Sequence, residues 1–218
     1  MSEIETSAAA DREALIADLL KGAVDLHCHS GPSVMPRGID HIEAMQEAAE
    51  AGMKAVLVKD HFYSATPVTA LLNKQFGHLG VEMLSGVPLN NTTGDFNPHA
   101  VDHGIKLGAR LVWMPTFSSA NHIRHHHGDS HFDEKFPQTV QDVLAPRPLT
   151  VLDDAGAVKD EVKVILDMIA AYDLVLSGGH LHVSEILKLF EVAKAHGVKR
   201  LLVNHPTFVV DATLEDVA

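Results

Sequence analysis

Three tripeptides, Gly52-Met53-Lys54, Gly108-Ala109-Arg110 and Gly197-Val198-Lys199, each follow an amphipathic run and precede a short apolar one. A glycine that ends a helix in the left-handed region and hands the chain to a buried strand is the connection of a repeating βα unit. Repeats of that unit demand a parallel sheet, either doubly wound or rolled into a barrel. The apolar runs at residues 23–27, 55–58, 81–87, 110–114, 174–177 and 201–203 are too short for helices, so they read as six buried parallel strands. Helix signals fill the intervals. A helix over 8–20 precedes the first strand. Asp40 with Glu43 forms a capping-box pattern closed by Gly52. Thr66-Pro67 and Asn97-Pro98 each place an N-cap before a first-turn proline, with ends at Gly77 and Gly108. A further helix fits 158–172, and Ser184 is expected to cap a last one ending at Gly197. Residues 117–148, rich in histidine, proline and charge, read as an insertion loop after the fourth strand, and 149–158 as a small hairpin or turn.

Composition narrows the class. With 218 residues, 46% of them hydrophobic, the chain supports one sizeable core, so a single domain over 1–218 is expected. A net charge of -12 disfavours nucleic acid and anionic membranes as partners and leaves a small molecule as the expected ligand. The lone cysteine, Cys28, permits no internal disulfide and fits a reducing cytoplasm. The first ten residues lack the basic and apolar regions of a signal peptide, and no apolar run approaches the roughly 20 residues that span a bilayer. The outlier is histidine, at sixteen residues.

In a barrel of βα units, chemistry sits at the C-terminal ends of the strands. Those ends read His27-Cys28-His29, Lys59-Asp60-His61, Pro88-Leu89-Asn90-Asn91, Pro115-Thr116, His180-Leu181-His182 and Asn204-His205-Pro206. Side chains alternate with period two, so His27 and His29 share a face with Asp25, Lys59 shares one with His61, and His180 with His182. Four of the six strands thus deliver imidazole to one rim, which suits zinc first, and manganese or iron next, in one or two divalent ions. His27, His29, His61, His180 and His205 are the candidate ligands, against a bland alternative of a histidine-rich surface. Lys59 is open to three readings: carbamylated and bridging two metals, bound to an anionic substrate group, or solvated. Asp60 is a catalytic or supporting carboxylate, or a loop cap. Cys28 faces away from the histidines and reads as packing. Asn90, and His122 and His126 in the histidine-rich segment, are candidates for holding substrate. His99 and His103 read as helix surface.

These residues resemble the metal-dependent hydrolases of the amidohydrolase superfamily, whose first strand carries a His-x-His like Asp25-Leu26-His27-Cys28-His29. The resemblance implies a distorted TIM barrel in which the first two histidines hold the more buried metal. His180 and His205, matching histidines of the fifth and sixth strands, would hold a second metal or orient substrate. Lys59-Asp60-His61 and His205-Pro206 are also similar to the polymerase-and-histidinol-phosphatase family. The start His27 to Ser33, the strand Val112 to Thr116 and the segment Gly179 to Glu185 resemble uncharacterised amidohydrolase-like bacterial proteins over most of the chain. The chain departs from these patterns in three places. Lys59 follows the second strand and not a later one. The third strand ends in asparagines and not a carboxylate. Only 13 residues follow His205, so six βα units stand where eight are usual, and the eighth-strand aspartate that serves as general base has no counterpart.

The expectation is therefore an α/β, TIM-like (β/α) barrel, incomplete at about six βα units or C-terminally truncated, with a His-rich insertion after strand 4. A partner chain, as in a homo-oligomer, is one way to complete it. The expected activity is metal-dependent hydrolysis of an amide, cyclic amide or ester, by water activated at the metal and with His205 or His182 moving the proton to the leaving group. The alternatives are a phosphoesterase and a non-catalytic barrel that binds metal or ligand.

Overall fold

The computed structural model describes residues 3–128 and 144–217, with side chains from 11 to 125 and from 144 to 217. Helix α1 (Glu3–Leu20) leads into β1 (Val24–Cys28), and the chain then alternates through α2 (His41–Glu50), β2 (Ala55–Val58), α3 (Thr66–Phe76), β3 (Glu82–Pro88), α4 (Pro98–Lys106), β4 (Leu111–Trp113) and α5 (Ala120–Gly128). After the gap come α6 (Asp160–Ala171), β5 (Val175–Ser177), α7 (Val183–Ala195), β6 (Arg200–Leu202) and the short α8 (Leu214–Val217). All neighbours pair in parallel, in the order β1-β2-β3-β4-β5-β6. The three glycine junctions are left-handed, with φ of 70° at Gly52 and 87° at Gly108 and Gly197. Among the described residues no helix is long and apolar enough to cross a membrane.

The sheet is not flat. Six strands about 4.8 Å apart would hold β1 and β6 some 24 Å from one another. Yet Asn204, just past β6, has its Nδ2 2.9 Å from Nδ1 of His27 on β1. The sheet therefore curls into a half-barrel whose two edge strands meet at their C-terminal ends. Stagger contributes: residues 82–85 of β3 pair with β2, while residues 86–88 pair with β4, as expected of tilted strands.

Period-two alternation sorts each strand into two faces. Val56, Val58 and Met83 pack outward with Met45, Ala48 and Leu72 of α2 and α3. Val87, Val112 and Leu176 pack outward with Val101, Val162, Ile165, Ile169 and Leu189 of α4, α6 and α7. The inward face is a separate cluster of Leu57, Leu111 and Trp113, with Leu84, Val175 and Leu202 against it. Trp113, fully buried, fills the inside of the curl. Gly86 makes room for it: a Cβ there would lie 2.1 Å from the Leu111 carbonyl oxygen and 2.9 Å from Cζ3 of Trp113.

Several expected boundaries move. Ser184 does not cap α7; His182 is the N-cap, and its Nδ1 accepts from the Ser184 amide at 3.2 Å. Gly178-Gly179 end β5 so abruptly that only two residues separate His180 from the helix. Thr66 is already helical, behind an Ala65 cap that makes no side-chain bond. Gly77 continues into a 3-10 turn (Gly77–Leu79), and Gly80, at φ 78°, is the left-handed residue. Residues 149–158 form the expected turn, closed by an antiparallel bridge between Leu152 and Val158. The segment read as an insertion loop begins instead as helix α5, while its residues 129–143 lie outside the described residues.

Because backbone lies opposite the Gly86 Cα, Gly86→Ala is expected to destabilise the fold by about 1–3 kcal/mol. The measurement is the urea midpoint at unchanged slope. Equal midpoints for the two proteins would remove the Trp113 packing from this account.

Candidate metal centre

A β-bulge lies between Asp25 and Cys28, where three residues of β1 span two of β2. Asp25 Oδ1 accepts the His27 amide at 2.8 Å and pins the irregularity. Bulges re-aim side chains beside functional sites. Here His27 and His29 turn inward with Nε2 atoms 3.1 Å apart, while Cys28 packs outward against the α2–α3 core.

The other strands bring their imidazoles to the same place. His61 stacks on His29 at 4.9 Å between ring centroids and lies 5.6 Å from His180. His180 Nε2 is 3.2 Å from Nε2 of His205, whose ring stands 5.3 Å from His27. All five expected ligands thus form one cluster at the C-terminal ends of the strands. Gly179, at φ 63°, permits the approach of His180, since a Cβ there would lie 2.2 Å from the Met114 carbonyl oxygen. His205 carries a left-handed φ of 33° at the solvent-exposed mouth, a strained conformation of the kind held at functional sites.

Four of these rings are gripped from behind. Nδ1 of His27 meets Asn204 Nδ2 at 2.9 Å, and Ser177 Oγ in turn donates to Asn204 Oδ1. His29 Nδ1 donates to the Lys59 carbonyl at 2.8 Å. His61 Nδ1 meets Thr116 Oγ1 at 2.9 Å, and His180 Nδ1 meets His122 Nδ1 at 3.0 Å. Each outer nitrogen has a partner, so each Nε2 turns inward, as in metal-binding histidines oriented by a surrounding shell of hydrogen bonds. Burial first, and the Lys59 charge second, push His27 down to about 2 and His29 down to about 3. The same two causes hold His61 and His180 well below the ordinary histidine range. His205 is lowered by partial burial of its ring and then by Lys59, although the residue as a whole is exposed. The cluster is therefore neutral imidazole, the protonation state a metal requires.

The donors fit a divalent ion in pairs. Nitrogens bound at about 2.0–2.1 Å in tetrahedral geometry stand about 3.3 Å from one another. The His27–His29 and His180–His205 separations of 3.1 and 3.2 Å match such edges. Among the described residues no three histidine, cysteine or carboxylate donors already close on one point. Holding an ion on three ligands therefore takes adjustment of at least one further ring.

Lys59 is only 1% exposed, which removes the solvated reading. Its side chain makes no ion pair with a carboxylate among the described residues. Burial, and next the charge of Arg37, bring its pKa down to about 7, with Asp60 opposing. Asp60 is buried behind the cluster: Oδ1 accepts the Phe62 amide at 2.8 Å, and Oδ2 lies 3.8 Å from Arg37 Nη2.

Other expected residues hold different places. Asn90 spends its whole amide inside the protein: Oδ1 accepts the Thr116 and Ser118 amides at 2.9 and 3.0 Å, and Nδ2 donates to the His61 carbonyl and Thr116 Oγ1 at 2.8 Å. It positions His61 and retains no donor for a substrate. His122 is buried on α5 and braces His180. His126 lies on α5, but its side chain is outside the described residues. His182 is not brought into the cluster; it caps α7 and faces Asp211 at 4.0 Å. His99 and His103 are exposed, as expected. Sequence reasoning missed Thr116, Asn204 and Phe117. Phe117 stacks on His61 at 3.9 Å and on His122 at 4.6 Å, and so forms an aromatic wall. Its signal was its position, directly after the fourth strand's end.

The chain belongs to a family described as "Family of unknown function (DUF6282)", which matches residues 22–218. No curated protein matches it. Among solved structures, it is similar to the citrate synthase SbnG, at 17% identity and TM-score 0.36, covering 92% of this chain and 82% of that one. It is also similar to histidinol phosphate phosphatase from Lactococcus lactis, complexed with zinc, L-histidinol and phosphate. There the identity is 12% and the TM-score 0.31, with 84% of this chain and 85% of that one covered.

Two outcomes are expected. Asn90→Ala should lower the melting temperature by about 10 °C or more, because it orphans four buried partners worth about 1–3 kcal/mol each. An unchanged melting temperature would return Asn90 to a substrate-binding role. In the metal-free protein, His27 and His29 stay neutral from pH 6.5 down to about pH 3, whereas in the unfolded chain they protonate near 6.5. The unfolded state binds more protons across that window, so stability falls as pH drops through it. Melting curves should show this decline, and His29→Gln should make it shallower; a flat profile would mean that water reaches the rings.

Proposed function

We propose that this DUF6282 member is a divalent-metal-dependent hydrolase of small molecules, cleaving a C–N or C–O bond of an amide, cyclic amide or ester at the mouth of its half-barrel. The observation that carries this reading is the set of four imidazoles, two buried (His61 and His180) and two half-buried (His27 and His29), whose Nδ1 atoms are held from outside while Nε2 faces inward. His27, His29, His61, His180 and His205 would hold one or two ions, with zinc favoured by the all-nitrogen donor set. A bound ion of this kind supplies Lewis acidity and brings the pKa of water toward neutrality.

The protein's own groups supply the rest. Asn204, Thr116 and the Lys59 carbonyl fix ring orientation, so ligand geometry is set before substrate arrives. Phe117 walls one side and excludes water from His61 and His122. His205 is exposed and next to the buried rings, which suits its imidazole to passing a proton to a leaving group at the mouth. Asp60, held 3.8 Å from Arg37, acts at a distance by stabilising the ammonium of Lys59. The buried positive charge of Lys59 and Arg37 favours one second reading, a phosphoesterase on the same cluster.

Elemental analysis of untagged, zinc-dialysed protein should give one or two equivalents of zinc. His29→Ala should abolish tight binding, and Thr116→Ala should weaken it about 10- to 100-fold. Hydrolysis of a panel of cyclic amides, esters and phosphomonoesters should disappear on chelation and return with zinc. Zinc binding that is indifferent to His29, or hydrolysis indifferent to chelator, overturns the proposal; turnover of phosphomonoesters alone selects the second reading.

A further inference from the structure

The loop after β1 closes on itself beside the imidazole cluster. Gly31 N donates to the Ile39 carbonyl at 2.9 Å, and His41 N donates back to the Gly31 carbonyl at 2.8 Å, which makes a neck. A relay running from the interior to the surface stiffens the wall: Ser30 Oγ meets His41 Nδ1 at 2.6 Å, His41 Nε2 meets Tyr63 Oη at 3.0 Å, and Tyr63 Oη donates to the Pro32 carbonyl at 2.8 Å. An open cleft of about 540 Å³ lies along the loop, lined in part by Pro32, Ser33, Met35, Arg37, Asp40 and Glu43. That volume suits a small metabolite.

Among the described residues Arg37 is the one cation lining this cleft, and its side chain is only 11% exposed. A guanidinium has five N–H donors. Among the described residues this one has a sulfur contact to Met35 at 3.9 Å and a carboxylate oxygen of Asp60 at 3.8 Å, too long for a hydrogen bond. Its buried Nε has no partner, and neither does Oδ2 of Asp60. Asp60 does not close the fork in this arrangement: its Oδ1 accepts the Phe62 amide, and its Oδ2 stands 3.8 Å from Arg37 Nη2. The two carboxylates that line the cleft cap the start of α2 and do not bond Arg37: Asp40 Oδ1 accepts the Ile42 and Glu43 amides, and Glu43 Oε2 accepts the Asp40 amide, all at 2.8 Å. Lys59 and Arg37 therefore face a single buried carboxylate, inside a chain whose net charge is -12. A planar fork with idle donors is built for a bidentate oxyanion.

We infer that Arg37 binds an oxyanion of the substrate, a carboxylate or a phosphate, seated in the β1–α2 loop cleft next to the histidine cluster. That the anion belongs to the substrate rests on the hydrolase reading; that Arg37 binds an oxyanion does not. Arg37 would thus decide which molecules reach the imidazoles, by requiring a negative group at a fixed distance from the scissile bond.

The test uses the whole chain, stripped of metal, and two probes titrated separately by calorimetry: inorganic phosphate and malonate. One of the two should bind saturably, and Arg37→Gln should weaken it by about tenfold or more. Arg37→Lys should recover part of that loss, since a point charge remains but the fork is gone. His29→Ala should leave anion binding unchanged. Stronger binding of phosphate assigns a phosphorylated substrate, and stronger binding of malonate a carboxylate. Saturable binding that is equal in the parent and Arg37→Gln, or no binding of either anion to the parent, overturns the inference. Should Arg37→Gln fail to give a native circular dichroism spectrum, Arg37→Lys decides, and parental affinity in that variant overturns it. Arg37-dependent anion binding by a protein that hydrolyses nothing when zinc-loaded would sink the hydrolase reading alone.

Discussion

Asn204 and His27 sit at opposite edges of a six-stranded sheet, and their side chains are 2.9 Å apart. That contact exists only because the sheet curls, and the cluster depends on the curl. Without it, the histidines after β1 and β6 would line a row across the tops of the strands. With it, they close a ring. The inner apolar group of Leu57, Leu111 and Trp113 holds the curl from within, and the helices pack over the outer face. The fold and the site are thus one problem: filling the inside of the arc sets the distance between imidazoles at its rim.

Around that rim the protein invests more in orientation than in the rings themselves. A side-chain amide, a hydroxyl, a main-chain carbonyl and a further histidine each take the outer nitrogen of one ring. Asn90 goes further and ties the His61 carbonyl, Thr116 and the turn after β4 into one unit. Buried polar groups of this kind are costly unless all are matched, and here most are. Among the described residues, Trp113 Nε1, Arg37 Nε and Asp60 Oδ2 have no hydrogen-bond partner, and the last two belong to one loose ion pair near Lys59.

Local pattern made the scaffold legible. The glycine junctions and the apolar runs place six parallel strands, and the period of two puts His27 with His29 and Lys59 with His61. The five clustered imidazoles were readable too, because strand ends in a βα repeat share one rim. What failed were inferences that carried a strand's period past its end. His182 was read as a partner of His180 on one face, but Gly178-Gly179 break the strand and His182 becomes a helix cap. Lys59 was placed on the inner face, yet alternation says nothing of depth, and so its complete burial was invisible. Arg37, His41 and Tyr63 left no signal at all. Their relation arises from a loop folding back on its own neck, a closure that no local spacing records.

Trp113 has a consequence for traffic. Fully buried, it plugs the inside of the curl below the imidazoles, so the half-barrel is a cup and not a tube. On the proposed function, a small molecule would reach the rings on the side of His205, the exposed member of the cluster, and its product would have to leave on that side as well. Arrival and departure would then share one lane.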